Sequence, residues 1–218
     1  VIVTLDGPAG SGKSATARAL AKKLGALYLD TGAMYRCVAL CAIENGVEPN
    51  DSEGLEKLAS ETEIDFREGD GEQRVFLNRA DRTLDIRRNG VEKTVSAVSS
   101  HNGVREKMVA LQRKIAEGHQ SVVAEGRDAG SVVFPRADHK FFITASPVVR
   151  AQRRALQNEG RGIKNGDVMA DILGRDMADS GREISPLVVP VGAVEIDNSN
   201  LSLDETIEKI IYCMAKCG

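Results

Sequence analysis

Val1-Ile2-Val3-Thr4-Leu5-Asp6-Gly7-Pro8-Ala9-Gly10-Ser11-Gly12-Lys13-Ser14 is the stretch on which the reading of the chain turns. A β-branched apolar run empties into a glycine-rich turn, and a helical segment, Ala15 to Leu24, follows. The turn fits G-x-x-x-x-G-K-[ST] at Gly7, Gly12, Lys13 and Ser14, the pattern of a phosphate-binding loop. Glycines let successive backbone N–H groups converge on an anion with no Cβ in the way. The helix behind them adds the positive end of its dipole. The spacing therefore predicts that Gly7, Pro8, Ala9, Gly10, Ser11, Gly12, Lys13, Ser14 and Ala15 cradle the phosphates of ATP. Lys13 would bridge the β- and γ-phosphates, and the Ser14 hydroxyl would hold a magnesium ion.

Outward from this loop, strand-like and helical runs alternate, which predicts an α/β fold: a P-loop NTPase-type parallel sheet with helices on both faces. Val1–Leu5, Leu27–Leu29, Ser121–Ala124, Lys140–Thr144 and Val194–Ile196 read as strands. Ala33–Glu44, a segment capped by Asp51 or Ser52, Val91–Ser99, Val104–Ala116, Pro147 to about Asn158, and Val168–Ser180 read as helices. Ser202-Leu203-Asp204-Glu205 is a capping box for a final helix. The texture changes from about residue 63 to 84. There, short alternating runs, Ile64-Asp65-Phe66, Val75-Phe76-Leu77 and Thr83-Leu84, with a turn at Gly69-Asp70-Gly71, predict a small antiparallel β insert.

Composition sets outer bounds. The chain has 218 residues, 42% hydrophobic and 28% charged, which suits one sizeable core. A net charge of -3 argues against bulk electrostatic recruitment of nucleic acid. No apolar run reaches transmembrane length, and the sequence opens on a core strand rather than a signal peptide, so a cytoplasmic, reducing compartment is expected. Cys37, Cys41, Cys213 and Cys217 have i, i+4 spacing within apolar helical patterns and read as buried free thiols rather than a zinc site. His101, His119 and His139 fall in no metal or triad pattern.

Three further clusters stand where ligands are bound in α/β sheets, at strand carboxyl ends and the loops beyond. Asp30-Thr31-Gly32-Ala33-Met34-Tyr35-Arg36 leaves a strand and enters a helix, so Arg36 can reach a phosphate near the helix start. Glu125-Gly126-Arg127-Asp128-Ala129-Gly130 is a charged pair between glycines at another strand end. The third set is arginines: Arg150, Arg153 and Arg154 on one helix, Arg161 in the glycine-broken loop 160–166, and Arg175, Asp179 and Arg182 at i, i+4, i+7 on the next. Two such helices joined by a loop make a lid that can close on polyphosphate, and arginine at nearly every position favours bidentate phosphate contacts. Two anionic substrates brought together need positioning and charge neutralisation, not a general base.

On these motifs, with Val132-Val133-Phe134-Pro135 and Ser185-Pro186-Leu187, the chain resembles the nucleoside monophosphate kinases, and among them the bacterial-type cytidylate kinase family. The resemblance runs from Val1 to the final helix. It implies transfer of the ATP γ-phosphate to CMP or dCMP with Mg2+, in a single kinase domain over 1–218. Residues 1–30, 85–150 and 186–218 would be mostly core, 31–84 the NMP-binding part and 150–184 the lid. It implies a monomer with small-molecule partners, no nucleic acid and no membrane. By the same resemblance Arg36, Arg127 and Arg182 hold the acceptor phosphate, and Ser96, Arg105 and Asp128 read cytosine. Asp179 with Arg175 contacts ribose, Thr31 lies against the acceptor nucleotide, and Arg150 and Arg154 meet the ATP base and phosphates. Lys13, Arg127, Arg182 and Arg154 are then the catalytic set. Asp128 also makes independent chemical sense, because a carboxylate accepts from the N4 amino group that cytosine has and uracil lacks. Ala15, Ala129 and the position of Pro190 depart from the family pattern. A kinase for UMP, AMP or shikimate, or an ATP-dependent switch without turnover, are the competing readings.

Overall fold

The computed structural model describes residues 1–69, 73–160 and 167–216. The apolar run at the head of the sequence forms β1 (Ile2–Asp6), and α1 (Lys13–Leu24) follows the glycine turn. Then come β2 (Leu27–Asp30), α2 (Thr31–Asn45), α3 (Ser52–Glu61), β3 (Ile64–Glu68), β4 (Gln73–Leu77) and β5 (Ala80–Asp81). A 3-10 turn at Asp85–Arg87 leads to α4 (Asn89–Val98) and α5 (Asn102–Glu117). The chain ends with β6 (Val122–Gly126), a π-helical turn (Ala129–Val133), β7 (His139–Thr144), α6 (Pro147–Gly160), α7 (Val168–Ser180), β8 (Val194–Asp197) and α8 (Leu203–Lys216).

Two compact units result. One comprises Val1–Leu29 with Ala116–Gly218, and the other Asp30–Ile115. Residues 85–115, grouped with the core in the sequence reading, fall in the second unit.

The first unit is built on a parallel five-stranded sheet of order β2-β6-β1-β7-β8, flanked by helices. β1 lies at its centre, pairing in register with β6 (Leu5 opposite Glu125, Asp6 opposite Gly126) and with β7 (Leu5 opposite Phe141). Strand periodicity sends Val3 and Leu5 to one face. There they pack with Val123, Phe141, Ile143 and Ile196 beneath Ala17, Leu20 and Ala21 of α1 and Ile207 and Ile210 of α8. Thr4 and Asp6 take the other face and are fully buried. The capping box forms as the sequence predicts: Ser202 N–H donates to Glu205 at 2.8 Å, and Glu205 N–H donates to Ser202 Oγ at 3.2 Å.

The second unit is organised on α2, which is buried over most of its length and packs with α3, α4 and the 3-10 turn. Its start is capped by Asp30, whose carboxylate accepts from Ala33 N–H at 2.8 Å. The antiparallel insert is present as β3-β4-β5, with Phe66 opposite Val75 and Leu77 opposite Ala80. Its third strand is Ala80–Asp81 rather than Thr83-Leu84. Asn78 and Arg79 both take positive φ, giving a two-residue turn that reverses the chain earlier than the β-branched Thr83 suggested. Of the turn expected at Gly69-Asp70-Gly71, Asp70 and Gly71 lie outside the described residues.

Cys37 and Cys41 are buried free thiols, whereas Cys213, expected to be buried, is half-buried against the core of α1 and α8. Cys217 lies outside the described residues. Among the described residues, no helix is long and apolar enough to cross a membrane.

Candidate active site

The glycine loop leaves β1 where side chains cannot fit. A Cβ on Gly7 would sit 2.0 Å from the carbonyl oxygen of Ile143 on β7, so only glycine allows the strands to stay paired there. Gly12 caps α1 in the left-handed region, with no side chain bonding the first-turn amides and no acidic residue in that turn. The helix start is thus left for an anion. Lys13 is buried, 8% exposed, and its Nζ donates to the Pro8 carbonyl at 3.3 Å, which holds the ammonium group over the loop. Ser14 is half-buried and Ala15 exposed on the first turn of α1.

An oxyanion already contacts the loop. Asp176 of α7 accepts from Ala9 N–H at 3.1 Å through one carboxylate oxygen, and its other oxygen pairs with Arg150. Arg150 is buried and donates also to the Ala9 and Ala145 carbonyls, both at 3.1 Å. From below, Arg153 and Asn198 converge on the Ser11 carbonyl, at 3.2 Å and 3.0 Å. They also bond each other, with Arg153 Nη1 2.9 Å from Asn198 Oδ1. Neither Asp176 nor Asn198 could be picked from sequence, because they approach the loop from more than 160 positions away in the chain. Arg153 is the member of the α6 arginine group that supports the loop floor, while Arg154 is half-buried one position further round the helix.

Arg127 and Asp128 follow β6 directly. Arg127 Nη1 donates to the Gly7 carbonyl at 2.9 Å, and its Nε pairs with Asp179 at 2.6 Å. Asp179 also pairs with Arg182, so one carboxylate is shared by two guanidinium groups beside the loop. Asp128 is buried, and its carbonyl accepts from Val132 and Val133 N–H, at 2.9 Å and 3.1 Å, within the π-helical turn. Arg175 is half-buried on α7. Arg161 lies outside the described residues.

In the second unit Thr31 is buried at the first position of α2. Arg36 pairs with Asp30 at 2.9 Å, and Arg87 approaches the same oxygen at 3.7 Å. Asp30 therefore caps the helix and pairs with Arg36 at once. Arg105 is 3% exposed. It donates to the Ser99 carbonyl at 2.9 Å, and its guanidinium lies 4.9 Å from the Tyr35 ring centroid. Ser99 in turn donates to the Ser96 carbonyl at 3.1 Å, so Ser96 and Arg105 are joined through one residue.

The loop fits a polyphosphate. Its glycines let the loop lie against the Ile143 and Arg150 carbonyls where Cβ atoms would clash, and its Ala9 amide already takes an oxyanion. A magnesium ion fits less completely through protein groups. Ser14 is the one ligand the loop motif supplies, and no group of three or more His, Cys, Asp or Glu gathers among the described residues. Phosphate oxygens and waters would supply its other ligands.

The chain matches the family model for cytidylate kinase over residues 3–216. It is 44% identical over 216 residues to a cytidylate kinase of Lactobacillus johnsonii, covering 98% of this chain and 94% of that one. It is also 44% identical over 218 residues to a cytidylate kinase of Caldanaerobacter subterraneus, covering 99% and 95%. Among solved structures, a shikimate kinase from Bacteroides thetaiotaomicron is similar in fold, with a TM-score of 0.51 at 13% identity, over 99% of this chain and 98% of that one.

Proposed function

This chain belongs to the cytidylate kinase family, and we propose that the residues described above perform phosphoryl transfer from ATP to CMP or dCMP, giving ADP and CDP or dCDP. The observation that carries the reading is the position of Arg127. Its guanidinium is anchored to the carbonyl of Gly7, and with Arg182 it surrounds a single oxyanion, the Asp179 carboxylate. Guanidinium groups fixed beside a phosphate-binding loop are what two meeting phosphates require.

Loop amides hold the ATP phosphates, and Lys13 neutralises charge on the group in transfer. Magnesium, held by the Ser14 hydroxyl and phosphate oxygens, supplies further charge neutralisation when bound. Arg36, Arg127 and Arg182 bind the acceptor phosphate, and Arg154 with Arg150 serves the ATP side. Thr31, Ser96, Arg105 and Asp128 address the acceptor nucleotide, while Asp179 with Arg175 serves its ribose. No residue needs to remove a proton, because the acceptor phosphate is ionised at neutral pH. The buried carboxylate of Asp128 favours cytosine over uracil through the N4 amino group. Family membership also supports a monomer acting in the cytoplasm.

The test is ADP release measured across CMP, dCMP, UMP, AMP and shikimate. Preference for the two cytidine nucleotides is expected. Equal rates on UMP or AMP would refute the acceptor assignment, and ATP binding without any turnover would return the chain to the switch reading.

A further inference from the structure

Asp6 ends β1 immediately before the loop motif, and nothing in the phosphate-binding pattern requires a carboxylate there. It is fully buried at the end of β1. One carboxylate oxygen accepts from Ala129 N–H and the other from Gly130 N–H, each at 2.7 Å. These amides open the π-helical turn and directly follow Arg127 and Asp128. The next residue on the chain, Gly7, offers its carbonyl to Arg127 at 2.9 Å. Asp6 and Gly7 thus hold the segment 127–130 from one side.

The joint is close-fitting on the other side as well. A Cβ on Gly130 would lie 2.6 Å from Thr4 Oγ1 and 3.1 Å from Asp6 Oδ2. An aspartate is also costly at this place. Burial pushes its carboxyl up from 3.8 to about 6, the Asp128 charge adds to that, and the two amides and Lys13 oppose it. Two donors facing one side chain need two acceptor atoms. Asparagine has one acceptor, and its NH2 would confront one of the amides.

We propose that Asp6 is a positioning residue: its two oxygens fix the Ala129-Gly130 backbone and so set the direction in which Arg127 and Asp128 meet the acceptor nucleotide. The inference rests on the acceptor-side reading of Arg127 and Asp128 given above. It couples the strand that feeds the ATP loop to the strand end that receives CMP, through hydrogen bonds to backbone amides.

Asp6→Asn, Thr4→Ala and Arg127→Ala are compared by steady-state KM for CMP and for ATP and by the CMP/UMP ratio of kcat/KM. Thr4→Ala alters the same buried face of β1 beside Gly130, but Thr4 Oγ1 makes no hydrogen bond to either amide, so it reports what loss of packing at the joint does without loss of the hydrogen bonds. For Asp6→Asn, CMP KM should rise about tenfold or more while ATP KM stays within about threefold, and the CMP/UMP ratio should shrink. Thr4→Ala should leave both KM values and the ratio near wild type. If Asp6→Asn does not fold, Gly130→Ala disturbs the joint from its other side and is held to the same criteria. Equal rises in both KM values, or the same pattern in Thr4→Ala, would overturn the positioning role. Arg127→Ala separates the two claims. A normal CMP KM in that variant defeats the acceptor reading and the inference with it, whereas a raised one beside a normal Asp6→Asn defeats the inference alone.

Discussion

Arg127 Nε lies 2.6 Å from a carboxylate oxygen of Asp179, and this pair ties the end of β6 to the last turn of α7. The carboxylate is 8% exposed and serves Arg182 as well. Removing its charge leaves two guanidinium groups facing each other in a half-buried place. Asp179→Asn is expected to lower stability by about 1–3 kcal/mol and to raise CMP KM. Urea unfolding and acceptor kinetics check both, and an unchanged urea midpoint would show that the triad is not a structural tie.

Lys13→Ala removes the buried cation from the loop. Turnover should fall by about 100-fold or more, with the urea midpoint close to wild type. Single-turnover measurement with saturating CMP distinguishes this from weaker ATP binding. Near-normal rates would remove Lys13 from the catalytic set.

Two glycine substitutions should move in opposite directions. Gly7→Ala drives a Cβ into the Ile143 carbonyl, 2.0 Å away, so the loop must leave β7. ATP binding and melting temperature should both drop. Gly174 sits within α7 with no positive φ, and a methyl group added there would meet nothing within 4 Å. Gly174→Ala should therefore stabilise by about 0.5–1 kcal/mol. Calorimetry of the two variants reads the signs directly.

The raised carboxyl of Asp6 makes stability depend on pH in a stated sense. The native group titrates at about 6 against 3.8 for its ordinary value. Between those values the folded protein binds more protons than the unfolded chain, so this group's contribution falls as pH rises from about 4 to about 6 and is level above. Exposed Asp81, Asp197 and Glu205 have lowered values, through hydrogen bonds from Thr83, Ser199 and Ser202 respectively, and act in the opposite sense at lower pH. The difference between wild type and Asp6→Asn isolates the Asp6 contribution. The wild-type advantage should shrink across pH 4 to 6 in urea titrations, and a constant difference would count against it.

Burial pushes the Cys37 thiol up to about 12 and raises that of Cys41. Neither thiolate is available near neutral pH, so alkylation of the native protein at pH 8 should spare both and reach half-buried Cys213 sooner. Peptide mapping by mass spectrometry after brief iodoacetamide treatment checks the order.

Local pattern was enough for the strands of the parallel sheet, the helices and the place of the glycine loop, but not for the third strand of the β insert. Those features depend on periodicities of two and 3.6 residues and on turn chemistry within a few positions of each other. The helix Val168–Ser180 and the capping box at Ser202 and Glu205 appear where the sequence predicts them. The Arg127-Asp128 pair stood out in the sequence because charges sit between glycines at a strand end. Tertiary structure alone decided which anion each arginine meets and what underpins the loop. Asp176 at the Ala9 amide, Asn198 at the Ser11 carbonyl and Asp6 at the Ala129 and Gly130 amides join segments more than 120 positions apart. Such bonds carry no local signature, since any buried donor or acceptor must find a partner and only the packed chain determines which one lies within reach.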